Sequence, residues 1–130
     1  GSSVITWPSS ETWLGTLGSK ITNNDCEHSC KVRIDTIDNL KLIDGRNQLM
    51  KIDVEGHELH VMEGAEESIN QWKPEIIFES FPNSDDRKII FNLLERHQYK
   101  LYDLNYTTAE LDCNSFLSRT GKNFHASPLN

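Results

Sequence analysis

The chain has 130 residues, of which 36% are hydrophobic and 25% are charged, a composition typical of a single globular domain with a packed core. Its formal net charge of −7 and its scattered lysines and arginines argue against nucleic acid as a partner. No apolar run reaches the roughly 18 residues of a membrane span, so we expect no membrane partner either. The three cysteines are an odd number for a secreted disulfide framework and predict a reducing, cytoplasmic location.

The first quarter of the chain is polar, rich in Ser, Thr, Gly and Asn. It predicts a short strand near residues 4–7 and irregular chain after it. Alternating apolar and polar residues at 32–37 predict a half-buried strand. We therefore expect one domain over residues 1–130, with an irregular lead-in at 1–31 and a core at 32–126.

From residue 48 onward, predicted strands alternate with predicted helices. Strands are expected at 49–54, 75–79, 99–104 and 123–126, the second of them buried on both faces. A helix over 57–72 follows from an apolar stripe, and Pro74 ends it. The stripe consists of Leu59, Met62, Ala65, Ile69 and Trp72. A second helix runs from the N-cap candidate Ser84 to about residue 97, with the inner face Ile89, Ile90, Leu93 and Leu94.

This alternation predicts parallel strands joined by right-handed crossovers, and hence an α/β fold. The residues expected in its core are Ile52, Val54, Leu59, Met62, Ile76, Phe78, Ile90 and Leu94. Open α/β sheets bind ligands beyond the carboxyl ends of their strands. There the sequence places Asp53 and Glu55 after one strand and Glu79 at the end of the next.

Carboxylates at such an edge can accept hydrogen bonds from a ligand or act as a base. Gly56 allows a sharp turn or a close backbone approach, and Glu58 lies in the first helical turn, where the helix dipole favours a negative charge. The alternative is that these acids only end a strand and begin a helix.

A family resemblance rests on the same stretch. Lys51-Ile52-Asp53-Val54-Glu55-Gly56-His57-Glu58, followed by Val61-Met62-Glu63-Gly64-Ala65 and Pro74-Glu75-Ile76-Ile77-Phe78-Glu79, resembles the FkbM methyltransferases, which show K-I-D-V-E-G-x-E in this position. Upstream, Arg33-Ile34-Asp35-Thr36-Ile37-Asp38 is similar to their T-L-D segment. The resemblance covers about residues 32–126 and is specific over 49–79.

The resemblance implies a Rossmann-like methyltransferase sheet, mostly parallel, with an antiparallel last strand and incomplete at its N-terminal side. It also implies methyl transfer from S-adenosyl-L-methionine to a hydroxyl oxygen of a small molecule or glycan. On this interpretation Asp53, Glu55 and Glu79 are catalytic. Asp53 and Gly56 face the cofactor, while Glu55 and His57 face the acceptor. His57 falls at a variable position of the motif, so an exposed or capping histidine is its alternative.

The sequence departs from the family in one respect. The D-x-G-x-N-x-G-like loop that binds the cofactor in the family is absent from these residues. We therefore expect the chain to be the C-terminal half of a methyltransferase domain, with an unpaired sheet edge that is prone to association. The alternative function is a non-catalytic α/β module that binds a carbohydrate or a partner protein.

Two short motifs suggest metal binding only weakly. His57 and His60 are three residues apart, whereas the zinc-protease helix H-E-x-x-H separates its histidines by four. Cys26, His28 and Cys30 give three soft ligands where structural zinc takes four. We expect no metal. Trp72 is expected in the core, and Trp7 and Trp13 could either pack on the sheet or stack on a sugar.

Overall fold

The computed structural model describes residues 1–7, 16–17, 28–42, 45, 48–104 and 109–129, with the backbone alone for residues 4–7 and 16–17. The chain forms two compact units, Gly1–Asp35 and Thr36–Asn130. The boundary thus lies near residue 35, whereas the sequence placed the start of the core at residue 32. Among the described residues, none of the helices has the length and apolar character needed to cross a bilayer.

The first unit contains three strands, β1 (Ser2–Trp7), β2 (Thr16–Leu17) and β3 (His28–Arg33). They form an antiparallel sheet in the order β2-β1-β3. The strand predicted near residues 4–7 is confirmed. The irregular chain predicted after residue 7 is wrong at residues 16–17, which form β2, and at residues 28–31, which belong to β3. The strand predicted at 32–37 is wrong in its bounds, because β3 ends at Arg33.

Backbone pairing explains why the sequence pattern missed β3. The β1–β3 ladder runs from the pair Ser2↔Arg33 to the pair Trp7↔His28. Five of the six β3 side chains are exposed, so the strand carries little of the apolar alternation that reveals a half-buried strand. Hydrogen bonds to a partner strand, which no local pattern shows, order this polar segment.

The second unit contains the predicted alternation of strands and helices. Its elements are α1 (Ile37–Leu40), β4 (Leu49–Ile52), α2 (Glu58–Glu63), α3 (Glu66–Trp72), β5 (Glu75–Glu79), α4 (Asp86–Arg96), β6 (Tyr99–Asp103), α5 (Cys113–Ser118) and β7 (Asn123–Pro128). The strands form a sheet in the order β4-β5-β7-β6. β4 and β5 are parallel, whereas β7 is antiparallel to both β5 and β6. β4, β5 and β6 therefore share one direction, which confirms the α/β class and the antiparallel last strand.

The core of this unit contains the expected residues with one exception. Seven of the eight predicted core residues are buried, among them Ile52, Phe78 and Leu94. Val54 is 37% exposed, so its prediction is wrong. It lies beyond Ile52, the last residue of β4 that pairs with β5, and the chain there has already left the sheet.

Three further burial predictions need correction. Ile89 is 49% exposed, and the inner face of α4 carries Arg87 together with Ile90, Leu93 and Leu94. In β5, Ile76 and Phe78 are buried, but the alternate residues are only half-buried, so the strand is not buried on both faces. Trp72 is likewise only half-buried.

The helix predicted over 57–72 is two helices, α2 and α3, separated at Gly64 and Ala65. Glycine destabilises a helix interior because its unfolded backbone has more conformational entropy to lose than that of any other residue. A side chain is also disfavoured here, since a Cβ at Gly64 would lie 3.3 Å from Cγ2 of Thr36. The break brings α3 against the segment that begins at Thr36.

The Thr36-Ile37-Asp38 segment has a structural role. The Thr36 hydroxyl accepts a hydrogen bond from the Asn39 backbone N–H, 3.1 Å, and so caps α1. The Asp38 carboxylate accepts hydrogen bonds from the backbone N–H of Glu67, 3.0 Å, and of Ser68, 2.9 Å, at the start of α3. Burial acts to raise the pKa of Asp38, but the bonds from Ser68 and Glu67 outweigh it and hold the pKa below its usual value.

The helix α5 is absent from the sequence prediction. It is short, and Phe116 is its one buried residue, so it shows no apolar period. The Asp112 side chain caps it by accepting a hydrogen bond from the Ser115 backbone N–H at 2.7 Å.

Candidate functional site

Three acidic side chains meet at the carboxyl edge of the sheet. β4 and β5 are parallel, with Ile52 paired to Phe78, so Asp53 and Glu79 are the next residues along the two segments at the same edge of the sheet. Glu55 follows two residues later. One carboxylate oxygen from each of Asp53, Glu55 and Glu79 lies within 4.8 Å of the other two. We call these three residues the acidic group. Asp53 and Glu55 are exposed, and Glu79 is half-buried.

The segment 53–57, the acidic loop, has an unusual backbone. Glu55 has φ 51° and Gly56 has φ 92°, so two consecutive residues occupy the left-handed region. This region is unfavourable for a residue with a side chain. The positive φ of Gly56 fits the sharp turn expected there, and because a Cβ at Gly56 would meet no atom within 4 Å, the space beside this backbone is open to a ligand.

Glu58 contacts the same loop from the first turn of α2. Its side chain is buried, with only 4% of the residue exposed. Its Oε1 accepts hydrogen bonds from the backbone N–H of Val54, 3.3 Å, and of Gly56, 3.1 Å. The sequence suggested only a favourable charge at a helix start. The only feature of the sequence that could have indicated this contact is the position of Glu58, two residues after Gly56.

The electrostatics of the acidic group come mainly from its own charges. Lys51 Nζ lies 3.0 Å from Asp53 Oδ2, but both side chains are largely exposed, so this ion pair contributes little. Three carboxylates at such short range repel one another, and a positive ligand group or a cation would relieve that repulsion. They also offer several acceptor oxygens to a ligand hydroxyl.

His57 stands apart from the acidic group. It occupies the N-cap position of α2, is exposed, and makes no side-chain capping bond. Its ring packs edge-on against His60, with ring centres 5.7 Å apart. Within the described ranges, the acidic group is the one set of three metal-ligating residues that come together, and neither histidine belongs to it. The role of His57 in acceptor binding stays a prediction.

Two of the three cysteines lie among the described residues. Cys30 is exposed in β3, Cys113 begins α5, and both are free thiols. Cys26, Trp13 and the side chain of Trp7 lie outside the described residues.

An aromatic ring and a cation lie just beyond the end of β5. Ser80 follows Glu79 and donates its backbone N–H to the carbonyl of Lys122 at 2.7 Å. Lys122 Nζ lies 4.5 Å from the centre of the Phe81 ring. Sequence reasoning missed this pair because Lys122 reaches the edge only through the pairing of β7 with β5, about 40 residues after Phe81 in the chain.

Comparison with known proteins identifies one family. The model described as "Methyltransferase FkbM domain" matches residues 7–101, well over half of the chain. The match includes the acidic group and begins upstream of the residues that carry the resemblance in sequence. No curated protein and no solved structure matches the chain.

Proposed function

This chain belongs to the FkbM family of methyltransferases, and on that basis we propose that it methylates a hydroxyl oxygen of a small molecule or glycan, with S-adenosylmethionine as donor. The observation that carries the proposal is the meeting of Asp53, Glu55 and Glu79 at the carboxyl edge of the sheet. Ligands of open α/β sheets bind at this edge.

The chemistry of the acidic group fits the proposed donor. The sulfonium and ammonium groups of S-adenosylmethionine are positive, and three clustered carboxylates attract positive charge. We assign Asp53, with the open backbone at Gly56, to the donor side. When bound, the donor supplies an electrophilic methyl group and departs as a neutral thioether. The D-x-G-x-N-x-G-like loop is absent from these residues, so this motif does not supply the adenosine contacts.

We assign the acceptor to Glu55 and Glu79, together with the exposed His57. A carboxylate can accept a hydrogen bond from the acceptor hydroxyl and so orient its oxygen. As the oxygen bonds to the methyl carbon and the carbon–sulfur bond breaks, the hydroxyl proton passes to a carboxylate oxygen. The products are a methyl ether, S-adenosylhomocysteine and a proton that later returns to water. Phe81, just beyond the end of β5, offers an apolar surface.

The test uses the natural full-length protein. It is incubated with S-adenosylmethionine labelled in its methyl group and a panel of methyl glycosides, and the label is followed into the methyl ether. Transfer to at least one hydroxyl supports the proposal. A protein that binds glycosides in calorimetry but transfers no label from the donor would favour the non-catalytic module instead.

A further inference from the structure

We propose that Glu58 is a positioning residue, whose buried carboxylate holds the acidic loop in the shape that brings Asp53 and Glu55 to Glu79. The inference rests on the proposed function, because it assigns Glu58 a part in turnover through residues that contact the substrates. Its structural half, that Glu58 fixes the loop, can be tested without any activity.

The geometry is that of one acceptor shared by two donors. Oε1 of Glu58 lies 3.3 Å from the Val54 nitrogen and 3.1 Å from the Gly56 nitrogen. These two amides flank Glu55, so the backbone on both sides of this residue is tied to the same oxygen. The carboxylate is itself fixed, since Glu58 is 4% exposed and precedes the core residue Leu59.

The acidic loop needs such a contact for two reasons. Glu55 has φ 51°, in the left-handed region that a residue with a side chain rarely adopts, and the next residue is left-handed as well. The carboxylates of the acidic group also repel one another at separations within 4.8 Å. Both effects favour a loop that opens away from Glu79, and two charge-assisted hydrogen bonds to Glu58 oppose them.

The competing explanation is that Glu58 only supplies a negative charge to the start of α2. Two conservative variants separate the explanations. Glu58→Gln loses the charge but keeps an oxygen at the same reach, so it should preserve the loop if the hydrogen bonds matter. Glu58→Asp keeps the charge but is one methylene shorter, so it should release the loop. If only the charge matters, the result is reversed: Glu58→Asp should resemble the wild type and Glu58→Gln should show the larger effect.

Asp38 provides the matched control. Like Glu58, it is a carboxylate that accepts hydrogen bonds from two backbone N–H groups, those of Glu67 and Ser68. These bonds hold the start of α3 and not the acidic loop. Asp38→Ala therefore removes the same kind of interaction from a different place in the fold.

The first measurement is amide hydrogen exchange of the chain by NMR. We expect exchange at Val54 and Gly56 to be about ten times faster in Glu58→Asp, because these amides lose their hydrogen-bond acceptor and the loop opens more often. In Glu58→Gln, which keeps an acceptor, their exchange should be nearly unchanged. In Asp38→Ala the faster amides should be those of Glu67 and Ser68. Unchanged exchange at Val54 and Gly56 in a folded Glu58→Asp protein would overturn the inference.

The second measurement is methyl transfer by the natural full-length protein. Glu58→Asp should lower kcat about 100-fold, as a displacement of about 1 Å does, with little change in KM. Glu58→Gln should stay within about tenfold of the wild type, and Asp38→Ala should keep its kcat. Equal kcat losses in Glu58→Asp and Asp38→Ala, or a worse loss in Glu58→Gln, would contradict the positioning role. If the wild type transfers no methyl group, the proposed function fails while hydrogen exchange still decides the structural half.

Discussion

Replacing Arg87 should destabilise this protein more than its position in a surface helix suggests. The side chain is fully buried, and its guanidinium carbon lies against the rings of Phe116 and Phe124, 5.2 Å and 5.1 Å from their centres. Burial lowers its pKa. Its terminal nitrogens donate to four backbone carbonyls, those of Ser80, Phe116, Arg119 and Gly121, at 2.6–3.0 Å.

The expected loss follows from these carbonyls. Arg87→Met fills part of the space but donates nothing, and a buried acceptor left without a donor costs about 1–3 kcal/mol. The bonds to Ser80 and Phe116 are buried, whereas those to Arg119 and Gly121 are only partly so, and water can replace them. Two buried acceptors then give about 2–6 kcal/mol, a large share of the stability of a small domain.

Urea denaturation measures this loss, with Arg96→Met as the matched control. Arg96 lies on the same helix, but its side chain is 62% exposed and pairs with Glu66, so its removal should cost under about 1 kcal/mol. Arg87→Lys should be nearly as damaging as Arg87→Met, because one ammonium cannot reach all four carbonyls. Equal losses in Arg87→Met and Arg96→Met would refute the reasoning.

Three further predictions concern the core, the pH dependence and the cofactor. Leu94→Ala should lower the free energy of unfolding by about 2–5 kcal/mol in chemical denaturation, and a loss below about 0.5 kcal/mol would show that this face is not packed. Because the folded pKa of Asp38 is depressed, its contribution is present above pH ~4 and lost as pH falls through the folded value. The difference in unfolding free energy between wild type and Asp38→Asn should therefore shrink below pH ~4 in urea titrations. A difference that stays constant with pH would contradict this prediction. Calorimetry of the isolated 130-residue chain should find weak or no binding of S-adenosylmethionine, and a tight, saturable site would mean that these residues suffice for the cofactor.

The sequence predicts those parts of the fold that local patterns encode. The apolar run at β5 and the stripe of α4 placed these elements within about two residues of their observed bounds. The motif around Asp53 indicated a strand end followed by a helix, and parallel pairing then brings Asp53 to Glu79. The proximity of Asp53 and Glu79 could therefore be predicted from the order of the strands along the chain and their parallel direction.

What the sequence could not predict depends on contacts between distant segments. Only one face of β4 packs on the core, and Leu49 lies on the other face, so it is 63% exposed although it belongs to an apolar run. The inner face of α4 includes an arginine, because Arg87 meets carbonyls from three other segments that no periodicity in α4 reveals. The two hydrogen bonds of Glu58 likewise depend on a loop shape that the motif does not specify.

The central claim is that the acidic group acts in turnover and not in folding. The decisive measurement is methyl transfer by the natural full-length protein carrying Asp53→Asn, Glu55→Gln or Glu79→Gln, with thermal melts of each variant and Glu95→Gln, an exposed acid of α4, as the control. Loss of a positioned base should lower the rate by about 100- to 10,000-fold in at least one of the three variants, with melting temperatures close to the wild type and a normal rate in Glu95→Gln. Near-normal rates in all three variants, together with lowered melting temperatures, would contradict the claim and leave these acids as structural charges.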